Sequence, residues 1–84
     1  MKLYAGWYVV GERGGDTLAL IAGPVQSRER AEALQPGAQA HARVHFALAD
    51  GDTFAVAWLA FPRALAGRCN VALWVNPEFQ EYDA

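Results

Sequence analysis

Two histidines, His41 and His45, stand four residues apart. On a helix that spacing places both imidazoles on one face, an arrangement that suits zinc. On a strand they share a face but lie about 13 Å apart, too far to share one ion. The alternation around them, set out below, indicates a strand. No nearby Cys or acid completes a four-ligand set, so no metal or other cofactor is expected. Cys69 is the single cysteine. A nucleophilic thiolate needs an exposed, electropositive setting. Cys69 instead opens an apolar stretch beside Val71 and Leu73, with Arg68 as its one cationic neighbour, and reads as a small buried hydrophobe. Asp50-Gly51-Asp52 lacks the spread of oxygen ligands and the closing Glu of a calcium loop, and reads as a turn. Gly11, Gly14 and Gly15 are followed by no Gly-Lys-Ser/Thr, so they make no phosphate loop. No catalytic set emerges, and the chain is expected not to be an enzyme.

The aromatic residues carry more information. Trp7, Tyr8, Phe46, Phe54, Trp58, Phe61 and Trp74 are many for a domain of this size. By strand alternation Trp7 lies opposite Tyr8, and Trp74 lies opposite Val71 and Leu73, so a one-sided core cannot take them all. Trp and Tyr are enriched at protein-binding hot spots. Trp74, Trp7 and Phe61 are therefore candidate partner-binding residues. The acids Glu78, Glu81 and Asp83 of the C-terminal tail, 78–84, join them. Residues 69–84 carry no Lys or Arg, so this end would repel a phosphate backbone and attract a basic protein surface. The expected partner is a protein, either a larger host complex or a second copy, with no direct nucleic-acid contact.

These side chains need elements to hold them. Residues 4–12 read as a strand rich in β-formers. Arg13-Gly14-Gly15-Asp16 is a hairpin turn, and residues 17–22 return as a second strand. Gly23-Pro24 stops it. Ser27 is a candidate N-cap for a helix over 28–35, ended by Pro36-Gly37. Ala31 and Leu34 form its apolar stripe, and Arg28 and Glu32 pair along its surface. Residues 42–49 alternate, with Val44, Phe46 and Leu48 facing one way, which predicts a third strand. Asp50-Gly51-Asp52 turns the chain into a strand over 53–61, apolar on both faces. Pro62 closes it, residues 63–68 connect, and 69–75 form the last strand. The predicted fold is α+β: an antiparallel sheet of about five strands in the order β-β-α-β-β-β, with one short helix packed on one face.

The chain has 84 residues, enough for a single domain over 1–84. A domain this small buries only about 60% of its unfolded surface. Apolar residues make up 54%, charged residues 19% and the net charge is −2, which excludes intrinsic disorder. A pI of about 5.5 argues against general nucleic-acid binding. No apolar run is long enough to span a bilayer, and the first residues lack a signal-peptide layout, so a cytoplasmic location without membrane contact is expected. Alanine supplies 17 residues, so much of the apolar share is small side chains.

The stretch from Leu18 through Gly23-Pro24 and Ser27-Arg28-Glu29 to Ala31-Glu32-Ala33-Leu34 resembles two groups. One is the SPOR domain, a sheet-and-helix module that binds glycan strands. SPOR domains carry two such strand–helix units, and one is read here. The other is a group of small phage and plasmid accessory proteins that open on a strand like Gly6-Trp7-Tyr8-Val9-Val10. The resemblance covers roughly the first 35 residues and transfers no functional residue. Its second form implies an inhibitor, anti-CRISPR-like, that blocks a larger host complex by stoichiometric binding. A homodimeric structural domain and a SPOR-like glycan-binding or small-ligand domain are the alternatives.

Overall fold

The computed structural model describes residues 3–46, 48–49, 51–67 and 70–71. Strand β1 spans Gly6–Arg13 and β2 spans Asp16–Val25. Helix α1 follows at Arg28–His45, then β3 at Thr53–Leu59, the short α2 at Pro62–Ala66 and β4 at Asn70–Val71. The order across the sheet is β3-β1-β2-β4. β1 pairs antiparallel with β2 and β3, while β4 runs parallel to β2. The α+β class holds. Among the described residues the sheet has four strands, three of them antiparallel, and there are two helices, one of 18 residues, so the expectation of about five antiparallel strands with one short helix is met in part.

The β1–β2 hairpin is written locally. Gly14 and Gly15 take φ of 60° and 86°, the positive values that a two-residue turn with the right twist requires. The pairing of β1 with β2 is interrupted by three register shifts, each giving β2 one residue more than β1. The extra residues fall at Gly23-Pro24, at Ile21 and at Leu18. Such bulges bend a strand and reset its alternation. Ile21 and Ala22, adjacent in sequence, therefore enter the same apolar cluster, and every residue from Ala19 to Val25 is buried. Pro24 does not end the strand as expected, because it falls in a bulge.

The largest departure from the sequence reading is α1. Its start is as read: Ser27 is the N-cap, its hydroxyl accepting from the Arg30 N–H at 3.2 Å, with Glu29 in the first turn. It then runs for 18 residues, through Pro36 and Gly37, to His45. The first half of the predicted strand over 42–49 is thus helix, the described remainder lies in no strand, and Val44, expected to face the core, is 79% exposed. The physical reason is the face formed by Ala31, Ala38 and Ala42, all fully buried against the sheet. Alanine has the highest helix propensity, and here it lets the helix backbone approach the sheet closely. That packing carries the helix past Pro36, which removes a ladder bond and crowds the carbonyl one turn earlier. Asp50 of the expected turn lies outside the described residues, and Gly51, at φ 92°, and Asp52 lead into β3 from the helix and not from a strand.

The core has two sides. On the α1 side lie Val9, Ala19, Ile21, Ala22 and Val25 with the three helix alanines, flanked by Trp7, Leu34, Phe46, Phe54 and Val56. On the other lie Tyr8, Val10 and Leu20, flanked by Leu3, Ala55, Ala57, Leu59 and Leu65 of α2. The expected opposition of Trp7 to Tyr8, and of Phe54 and Val56 to Ala55 and Ala57, is observed. The segment expected to be a plain connection at 63–68 contains α2, which supplies cover to the second face.

Helix positions follow from topology. β2 and β3 run parallel with β1 between them, so α1 is a crossover over one face. β3 and β4 are also parallel, so the segment carrying α2 crosses back in the opposite sense. Parallel crossovers strongly prefer one hand. Reversing the direction of travel while keeping that hand requires the second helix to lie on the opposite face, as α2 does.

Candidate functional site

Two tryptophans meet where β1 and β3 lie beside the start of α1. Trp7 pairs directly across the ladder with Trp58 of β3. Their rings meet edge to face, with centroids 6.0 Å apart and planes at 66°. The Arg28 guanidinium, in the first turn of α1, sits 5.9 Å from the centre of the Trp7 ring, within cation–π range. Its Nε also donates to Glu32 Oε1 at 3.0 Å, which orients it one helical turn below. Trp7 is half-buried, whereas Trp58 is 55% exposed because β3 has no neighbour on its outer side among the described residues. Just beyond β3, Phe61 is 79% exposed at the N-terminus of α2.

The expected site residues divide accordingly. Trp7 lies in this cluster, and Phe61 is exposed at the N-cap of α2, two residues beyond β3. Trp74, Glu78, Glu81 and Asp83 lie outside the described residues, as does Cys69. Trp58 was not among the candidates. Alternation showed which face it shares with Phe54 and Val56, but only strand order shows that it sits at an edge.

Polar groups elsewhere fix the frame. Arg13, at the hairpin turn, donates from Nε to Asp52 Oδ1 and from Nη2 to Oδ2, each at 2.8 Å. The Ala49 N–H also donates to Asp52 Oδ2 at 2.8 Å. The Arg13 hydrogen bonds, followed by that from Ala49, hold the Asp52 carboxyl down at about 2. This pair ties the end of β1 to the beginning of β3. Tyr8 is fully buried, and its hydroxyl donates to the Tyr4 carbonyl at 2.6 Å. Burial outweighs that bond and pushes its phenol up to about 12.

The histidine geometry corrects the sequence reading. His41 and His45 lie one turn apart on α1 rather than along a strand, and their ring centroids are 4.3 Å apart. The separation of about 13 Å expected on a strand does not apply. Among the described residues no group of three or more His, Cys, Asp or Glu side chains converges to hold a metal. A depression lined by Gly15, Asp16, Thr17 and Leu65 lies at the far end of the sheet. No helix among the described residues is long and apolar enough to cross a membrane.

No family model, curated protein or solved structure matches this chain.

Proposed function

We propose that this protein is a non-catalytic protein-binding module whose contact surface comprises Trp58, Trp7, Arg28 and Phe61. The observation that carries this reading is the exposure of Trp58, a large aromatic whose ring is nonetheless held in place by Trp7. An aromatic fixed before binding loses little side-chain entropy on contact, and Trp, Tyr and Arg dominate binding hot spots. The finer reading is stoichiometric cover of a working surface on a larger protein, the mode implied by the resemblance to phage and plasmid accessory proteins.

The experiment compares Phe61→Ser and Arg28→Ser with Val44→Ser, which removes an equally exposed side chain on the far part of α1. A protein that co-purifies with the native chain in equimolar amount should be lost, by at least tenfold in affinity, from the first two variants. It should be retained by Val44→Ser. Equal retention by all three variants would refute the assigned surface.

A further inference from the structure

Edge strands are usually protected by charge, proline, bulges or shortness, because their unpaired backbone groups invite another strand. β3 has none of these defences. It runs seven residues, Thr-Phe-Ala-Val-Ala-Trp-Leu, without charge or proline. Its pairing with β1 proceeds from Leu59 to Thr53 with no register shift, in contrast to the bulged β2. Among the described residues nothing pairs with its outer edge.

The residue pattern is also symmetric about its centre. Val56 is flanked by Ala55 and Ala57, then by Phe54 and Trp58, then by Thr53 and Leu59. In an isologous contact residue i meets j and j meets i, and with the axis at Val56 this pattern sets aromatic against aromatic and alanine against alanine. We propose that β3 pairs antiparallel with β3 of a second copy, about a two-fold axis at Val56. Phe54 of each copy then faces Trp58 of the other, on the α1 side of a continuous sheet. Ala55 faces Ala57 on the opposite side, where small residues leave the strands unobstructed. The two aromatic pairs are cross-strand contacts of the kind that stabilise antiparallel pairing. The half-exposed Trp58 ring gains a neighbour on its open side. Asp52, at the end of the paired stretch, faces Ala60 and is already neutralised by Arg13, so no like charges oppose each other.

This inference shares with the protein-binding reading the exposed Trp58 and names a second copy as what covers it; the two are tested separately, since Phe61 and Arg28 lie outside the paired stretch. The first measurement is sedimentation velocity of the native chain over a wide concentration range. A dimer of twice the 9.1 kDa chain is expected. The second is oxidative crosslinking in a Cys69→Ser background. Val56→Cys places two thiols on the axis, where opposed residues lie close enough for a disulfide. Thr53→Cys places them about 20 Å apart by strand rise. Crosslinking at 56 and not at 53 is the expected result. The third is Trp58→Lys, an exposed substitution expected to weaken self-association at least tenfold while leaving the far-ultraviolet circular dichroism unchanged. Crosslinking as ready at 53 as at 56, or a folded Trp58→Lys variant that still dimerises fully, would overturn the proposal. So would a monomer at every concentration, which would leave the edge to a foreign strand or to residues 72–84 of the same chain.

Discussion

At the scale of single residues, two positions are constrained by what surrounds them. Gly23 has φ of 124°, and a Cβ there would lie 2.7 Å from the Trp7 carbonyl oxygen and 2.8 Å from the Tyr8 ring. Both the conformation and the space exclude a side chain. Gly23→Ala is expected to cost at least about 1–3 kcal/mol, read as a lower urea midpoint. Tyr8 makes the protein sensitive to alkali. Burial pushes its phenol up to about 12 in the folded chain, above its ordinary value of 10.0. The neutral form is favoured by folding, so its contribution is complete below pH 10 and disappears as the pH rises through 12. Unfolding midpoints measured between pH 8 and 12 should fall across that window for the native chain. Tyr8→Phe should flatten the part of the slope due to this group. The local signals read correctly from sequence belong to this scale. Ser27 caps α1, Gly14 and Gly15 make the turn, and Arg28 pairs with Glu32, because each depends on neighbours within a few residues. Pro36-Gly37 was misread for a complementary reason: a stop signal is local, but packing of Ala31, Ala38 and Ala42 overrode it.

At the scale of elements, α1 against the sheet is the decisive contact. Its buried face is alanine at 31, 38 and 42, so the helix–sheet distance is set by methyl groups. Ala38→Leu inserts atoms into filled space and is expected to destabilise by about 1–3 kcal/mol. Val44→Ser, at a position read from sequence as core, is expected to change stability by no more than about 0.5 kcal/mol. Chemical denaturation of the two variants distinguishes the helix from the strand that the alternation suggested. That alternation was real but uninformative: Val44, Phe46 and Leu48 are spaced as a strand requires, while the alanines, small and weakly hydrophobic, obscured the helical period beneath it. Trp58 was overlooked at this same scale, because face is written in a strand's own residues and edge position is not.

At the scale of the whole molecule, strand order was illegible, since it depends on how segments far apart in sequence cross the sheet. The pairing of β4 beside β2 arises only after two crossovers have passed over opposite faces. Class and the two-sided distribution of apolar residues were legible, and they raised the question of cover that α1 and α2 partly answer. The topology also divides labour along the chain. The β1–β2 hairpin is a spool, and the later elements are a thread passed around it: α1 across the front, β3 along one side, α2 across the back, and β4 along the other side in the same direction as β3. Among the described residues β3 lines the whole of one margin of the spool, whereas β4 lines the other only beside Ala19 and Leu20. On the β3 side, any main-chain recognition of another molecule by this sheet is then spelled by the thread and not by the hairpin.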